Sequence, residues 1–202
     1  MNPLTSVKGS IVTALVLAAI VSVLLTVGAG ADISLHHPQL GRWLHIVSGV
    51  MWIGLLYYFN VVQVPGLADA AADKGGPGGA GISKYIAPRA LLWFRWAAVA
   101  TWVTGAWYLG SGYGEVNAFA QAFTLQPGFR TIGVGAWLGT IMLFNVWVFI
   151  WPNQKKILGL VAATDEQKAS ARKTALYASR ANFILSVPML LCMGGQSHGL
   201  PF

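Results

Sequence analysis

The sequence predicts an all-α integral membrane protein, a bundle of five transmembrane helices in a single domain, residues 1–202. Hydrophobic residues make up 55% of the chain and charged residues only 9%, whereas an average soluble domain is about 25% charged. The apolar residues also form long runs, and a helix of about 20 apolar residues crosses the hydrocarbon core of a bilayer. The lipid bilayer is therefore the first expected partner. Nucleic acid is not expected, although the formal net charge is +7, because no basic stripe lies on a soluble module.

Five mainly apolar runs are long enough to cross a membrane. The first follows a short basic start and ends in small residues, which resembles a signal peptide with its cleavage site, and we expect it to remain as a membrane anchor. Pro65 and Pro152 are predicted to end the second and fourth helices, because proline cannot continue the helical hydrogen-bond pattern. The predicted helices cover residues 11–31, 41–64, 90–110, 131–151 and 177–198.

The connections between these helices differ in composition. Residues 66–83 are rich in glycine and alanine without periodicity, which predicts a mobile loop. Residues 111–130 form an aromatic, glycine-containing loop with room for a short interfacial helix. Residues 153–173 are basic, and within them Thr164 and Gln167 form a capping-box pattern that predicts the start of the last helix.

Basic residues are distributed unequally between the two sides of this five-helix arrangement. Only Arg42 and Arg130 fall on the side that contains the C-terminus. Because short cytoplasmic connections carry an excess of lysine and arginine, the N-terminus is predicted in the cytoplasm and the C-terminus in the periplasm of a bacterial cytoplasmic (inner) membrane. The predicted cytoplasmic side holds Lys8, Lys74, Lys84, Arg89, Arg95, Lys155, Lys156, Lys168, Arg172, Lys173 and Arg180.

His45 lies inside the second predicted helix. An ionisable side chain in a membrane-spanning segment is costly and marks a functional site by default. Positions four apart share a helix face, so Gly41 and Gly49 flank His45 on one stripe. The two glycines leave room either for a flat macrocycle beside the imidazole or for the close approach of a neighbouring helix.

A second histidine, His198, is predicted at the same end of the bundle as His45. Gly194 lies one turn before it, as Gly49 lies one turn from His45. Two imidazoles beside small residues are what a six-coordinate b-type haem needs, and these two histidines are then its axial metal ligands. No CxxCH pattern is present, so the haem would be held without a covalent link. The alternative is a solvated His198 and a packing His45. Expected partners of the haem propionates are Arg42, Arg130, His36 and His37.

A second group of polar residues is predicted nearer the cytoplasmic side, on four different helices. Polar side chains inside a membrane bundle usually hydrogen-bond across helices and stabilise their packing, and this interpretation is favoured. The alternative is a pocket for an anionic or quinone-like molecule, with the two arginines as charge partners. The group consists of Asn60, Gln63, Arg95, Asn145, Arg180 and Asn182.

Four stretches of the chain resemble a known family. They are RWLHIVSGVMWIG (42–54), WFRWAAVATWVTG (93–105), GAWLGTIMLFNVWVFIWPNQKK (135–156) and NFILSVPMLLCM (182–193). They resemble the membrane domain of bacterial urate hydroxylase (PuuD), also called the urate oxidase N-terminal domain. The resemblance covers predicted helices two to five, and NVWVFIWPNQKK is its most specific part.

The resemblance implies an activity and a partner. In the family the membrane domain precedes a C-terminal cytochrome c domain, and the whole is taken to oxidise urate with electrons passing to the c-type haem. The present residues do not include such a domain, but an outward C-terminus is where a periplasmic cytochrome would be attached. Of the family's polar residues, His45 and Asn182 are matched and His198 is offset by one position, whereas Gly133 stands where the family has a histidine.

Three functions remain open from the sequence. The first is a membrane electron-transfer protein or subunit that binds haem b and works with an external cytochrome c or a quinone. The second is an oxidase of urate, or of another small molecule, in its own right. The third is a cofactor-free structural subunit of a larger membrane complex or homo-oligomer.

Overall fold

A computed structural model describes residues 2–111 and 117–201, and every regular element within them is helical. The chain divides into two compact units, residues 1–36 and 37–202. The first unit contains α1. The second contains α2 to α6, including both predicted histidine ligands. The helices are α1 Val7–Gly28, α2 His37–Ala72, α3 Ala87–Ser111, α4 Ala118–Phe123, α5 Arg130–Ile157 and α6 Asp165–His198.

Four of these helices, α1, α2, α5 and α6, are long and apolar enough to cross a membrane. The all-helical class predicted for a membrane protein is therefore confirmed. Helix α3 has 25 residues but is not among the four, because its arginines and tryptophans lower its mean hydropathy. Large apolar side chains remain exposed along the candidate spans, for example Val50 at 70% and Ile184 at 69%, and such a surface suits contact with lipid.

The helix ends predicted at Pro65 and Pro152 are wrong. Helix α2 continues through Pro65 to Ala72, so the first part of the predicted loop 66–83 is helical, and α5 continues through Pro152 to Ile157. In both helices the chain adopts a π-helical turn just before the proline. A turn of this wider kind lets the helix pass a residue that has no N–H and whose ring collides with the carbonyl four residues earlier.

The π turns share this relation to proline throughout the described chain. A third π turn leads into α3. Each of the three is followed by a proline two residues after its last residue. The turns are Tyr58–Gln63, Ile82–Ile86 and Asn145–Ile150, and the prolines are Pro65, Pro88 and Pro152.

Within the second unit, α2 packs along α3, and α5 packs along α6. The core between these helices is apolar and includes Leu56, Phe94 and Met142, each no more than 1% exposed. The short helix α4 packs on the start of α5, where Gly133 leaves space for the carbonyl of Ala122. This packing places the N-terminal half of α5 and the C-terminal end of α6 beside one another.

Two local predictions outside the core are confirmed. The Thr164 hydroxyl accepts a hydrogen bond from the Gln167 amide at 3.2 Å, and the Gln167 side chain accepts one from the Thr164 amide at 2.9 Å, which is the capping box that starts α6. Helix α4 supplies the short helix expected within residues 111–130. Residues 112–116 of that loop lie outside the described residues.

Candidate functional site

His45 is fixed in one orientation by helix α3. Its Nδ1 lies 2.7 Å from the backbone carbonyl oxygen of Thr101. A carbonyl can only accept, so Nδ1 carries the proton and the Nε2 lone pair is left available. Histidines that bind metals usually hold the second ring nitrogen in this way, because the hydrogen bond sets the tautomer and the ring orientation.

The imidazole rests against a glycine of α3. A Cβ placed on Gly105 would lie 2.8 Å from both Cε1 and Nδ1 of His45, closer than real Cβ atoms approach. Any side chain at this position would push the ring away from Thr101. Gly105 and the Thr101 carbonyl therefore act together. Gly105 leaves space for the ring, and the carbonyl accepts a hydrogen bond from Nδ1–H.

The glycines that flank His45 have different roles. Gly41 is buried, and a Cβ there would make an ordinary van der Waals contact with the Trp107 ring at 3.5 Å, so α2 packs against α3 at this position. Gly49 meets only the methyl group of Thr101 at 3.7 Å and otherwise faces open space. The glycine stripe thus meets α3 at Gly41 and open space at Gly49.

The open space is a cavity of about 870 Å³ between the helices of the second unit. This volume is in the range of cofactor and small-molecule sites, roughly 300–1,000 Å³. Its wall is mainly apolar and aromatic, with a small number of polar groups. Five of the residues proposed from the sequence line it, namely Arg42, His45, Gly49, Gly194 and His198.

The other residues proposed for the same layer lie elsewhere. Arg130 is exposed and is not part of the cavity wall, and its Nε donates to the Leu125 carbonyl at 3.4 Å. His37 begins α2, is exposed and does not line the cavity. His36 belongs to the first unit, where its Nε2 lies 3.0 Å from the Ser34 hydroxyl.

The inner polar group does not form one site. Asn145 donates to the Asn182 side chain at 2.9 Å, and Asn182 donates to the Met142 carbonyl at 3.0 Å, which joins α5 to α6. Asn60, separately, donates to Ser179 at 2.9 Å and joins α2 to α6. These bonds are the cross-helix hydrogen bonds that the favoured interpretation expects.

The two arginines of the inner group are not part of these hydrogen bonds. The Arg95 guanidinium lies 3.8 Å from the centre of the Trp151 ring, a cation–π contact between α3 and α5. Arg180 is exposed and makes no hydrogen bond or ion pair with any residue that the structure describes. Four buried side-chain atoms also lack a partner in the described part of the chain: Trp52 Nε1, Asn60 Oδ1, Gln63 Oε1 and Trp147 Nε1.

Three residues of the site were not anticipated as members of it: Thr101, Gly105 and Gln196. Thr101 contributes through its backbone, which has no signal in a sequence. Gly105 lies in the WFRWAAVATWVTG stretch, but its role depends on which helix packs beside α2. Gln196 lies between Gly194 and His198, and its polar side chain within an apolar helix end was the available signal.

Comparison with known families finds a match for the second half of the chain. Residues 113–202 match the family model described as urate oxidase N-terminal. No curated protein and no solved structure matches the chain. The matched residues include α4, α5 and α6, with Gly194 and His198 of the cavity wall, whereas His45 precedes them. The resemblance seen in residues 135–156 and 182–193 is confirmed. Residues 113–202 therefore carry a domain of the urate oxidase N-terminal type.

Proposed function

We propose that the protein is a membrane redox protein that binds haem b in the cavity and exchanges electrons with an external cytochrome c or a quinone. One observation carries this proposal. The cavity of about 870 Å³ brings His45, with Nε2 available, to the same space as His198 from another helix. A haem needs one or two ligating side chains and flat apolar room, and the two histidines and the mainly apolar wall of the cavity support this proposal.

The residues of the chain have distinct roles in this proposal. His45 would hold the haem iron through Nε2, and the Thr101 carbonyl sets the tautomer that leaves this nitrogen available. His198, which lines the same cavity, would also hold the iron. Gly49 and Gly194, which have no side chain to fill the space, leave room for the ring. Arg42 is placed to pair with a propionate. A bound haem supplies reversible one-electron transfer, with a potential set by its ligands and burial.

We further propose that all five long helices cross the bacterial inner membrane, α3 included. The distribution of basic residues supports this topology, since eleven of the thirteen would then be cytoplasmic. The C-terminus and the histidine end of α6 would face the periplasm. A cytochrome c that receives electrons there would meet the cavity side of the protein.

A second candidate function is oxidation of urate, and the family match supports it. In that case a small molecule would be oxidised at the membrane domain and its electrons passed to the cytochrome. Urate-dependent reduction of added cytochrome c by the purified protein would support this activity. Cytochrome reduction by a quinol but not by urate would support the first function instead.

The direct test is the absorption spectrum of the protein purified from haem-replete cells, with haem content measured as the pyridine complex. We expect a Soret band in the wild type, its loss in His45→Ala, and its retention in His37→Ala, a histidine of the same helix outside the cavity. His45→Ala should still insert in the membrane, because apolar helices drive insertion. A wild-type protein without haem would contradict the proposal and favour the structural-subunit function.

A further inference from the structure

The side chain of Gln196 joins the end of α6 to the start of α5. Its Oε1 accepts a hydrogen bond from the Ile132 amide at 3.0 Å, and its Nε2 donates to the Gly128 carbonyl at 2.9 Å. The two bonds also fix which end of the amide is oxygen, because an N–H needs an acceptor and a carbonyl needs a donor. Every hydrogen-bonding direction of this contact is therefore determined.

The two backbone groups that Gln196 joins are four residues apart. In a continuous helix the Ile132 amide would bond directly to the Gly128 carbonyl. Helix α5 begins only at Arg130, and Gly128 has a φ of +83°, which belongs to the turn before the helix. The amide of Ile132 would otherwise be one of the free donors of a helix N-terminus. The side chain of Gln196 takes the place of the missing peptide hydrogen bond.

The end of α6 contacts α5 and also lines the cavity. On the face toward α5, Gly195 approaches Thr131, and Cys192 approaches Gly135, where a Cβ would lie 3.0 Å from that of Cys192. Gly194 and His198 line the cavity and share a stripe because they are four residues apart, and Gln196 lines the cavity as well. Gln196 therefore joins the last turn to α5, and His198 lines the cavity from the same turn.

Apart from Gln196, the last turn of α6 is held by the Gly199 amide, which donates to the Gly195 carbonyl at 3.0 Å, and by the Leu200 side chain beside Gly195. The helix ends at His198, and Gly199 follows with a φ of +83°. Terminal turns of helices fray unless side chains or packing retain them. No hydrogen bond of the His198 side chain is made to a described residue, so the position of its imidazole depends on the backbone of this turn.

We propose that Gln196 is the positioning residue for His198 as the second axial ligand. This inference depends on the proposed haem function. His45 is fixed by α3, through Thr101 and Gly105, whereas His198 is fixed by α5, through Gln196. The two ligands are thus held by different neighbouring helices. Loss of the Gln196 bonds should release the second ligand and leave the first in place.

The test uses the full chain purified with its haem, in the variants Gln196→Leu, Gln196→Glu and His198→Ala. Spin state is read from the visible and electron paramagnetic resonance spectra. We expect Gln196→Leu to shift the haem from low spin toward the high-spin spectrum of His198→Ala, lowering the ratio of six- to five-coordinate haem about 10-fold, as outer-shell substitutions commonly do. Gln196→Glu keeps the acceptor but loses the donor, so an intermediate shift is expected.

Gln126→Leu is the matched control, because Gln126 is exposed, lies before the same helix start and makes only backbone hydrogen bonds. It should keep the wild-type spectrum. A low-spin Gln196→Leu protein beside a high-spin His198→Ala protein would overturn the inference and leave the haem function intact, even if Gln196→Leu melts earlier. Low-spin haem in His198→Ala would also overturn it. A wild-type protein without haem would overturn both the inference about Gln196 and the haem function, so the wild type is measured before the variants.

Discussion

At the scale of single residues, the orientation of His45 depends on Gly105 as well as on the Thr101 carbonyl. The Thr101 carbonyl accepts a hydrogen bond from His45 Nδ1 while the imidazole lies against α3 at Gly105. Gly105 makes that possible, since a Cβ would come within 2.8 Å of two ring atoms. The hydrogen bond and the glycine should therefore be tested together.

We predict that Gly105→Ala lowers haem affinity about 10-fold, because it displaces the ring and breaks the hydrogen bond that orients it. Haem titration of the purified protein, followed at the Soret band, measures the change. Gly110→Ala is the control in the same helix, since a Cβ there meets no atom within 4 Å. Equal affinities in the two variants would show that the position of the ring does not depend on Gly105.

The residues that the sequence allowed us to predict are those whose chemistry is unusual for their surroundings. His45 is an ionisable group in an apolar run, and His198 repeats its pairing with glycine. Thr101, Gly105 and Gln196 could not be assigned, because their roles arise from the neighbouring helix that each contacts. The sequence alone does not show which helices are adjacent in the fold.

At the scale of helices, the sequence located each long segment but misjudged two ends. In water a proline such as Pro65 or Pro152 usually ends an α-helix, because the backbone groups left without a helical partner can hydrogen-bond to water. In an apolar environment the chain keeps its internal hydrogen bonds instead: α2 and α5 pass Pro65 and Pro152 with a π turn, and α6 contains Pro188 within a continuous α-helix. The rule that proline ends a helix therefore has less force in the two helices where it was applied.

The hydrogen bond between Asn145 and Asn182 should contribute measurably to the packing of α5 on α6. A double-mutant cycle with Asn145→Leu and Asn182→Leu should give a coupling free energy of about 0.6 kcal/mol, the average for hydrogen bonds between membrane helices, and at most about 1.7 kcal/mol. Unfolding of the four proteins in mild detergent measures it. Asn182→Leu alone should cost more than Asn145→Leu, because it also leaves the Met142 carbonyl without its side-chain donor. Strictly additive effects would contradict the coupling.

At the scale of the whole molecule, the arrangement of charge predicts the orientation of the protein in the membrane. Eleven of the thirteen lysines and arginines fall on one side of a five-crossing arrangement. We predict that alkaline phosphatase fused at Phe202 is active and that a fluorescent protein fused there is dark in the periplasm. The reverse pattern would place the C-terminus in the cytoplasm and remove α3 or another helix from the set of crossings.

The π turns also indicate where a residue can be deleted from a membrane helix without disturbing its faces. A π turn contains one residue more than the α turn it replaces. Deleting exposed Val62 from Tyr58–Gln63, together with Pro65→Ala, should yield a continuous α-helix whose faces stay in register on both sides. Deleting exposed Val47 from the regular part of α2 would instead rotate one side by about 100°. A one-residue deletion is thus expected to be tolerated in α2 at the π turn and not in the regular part of the helix.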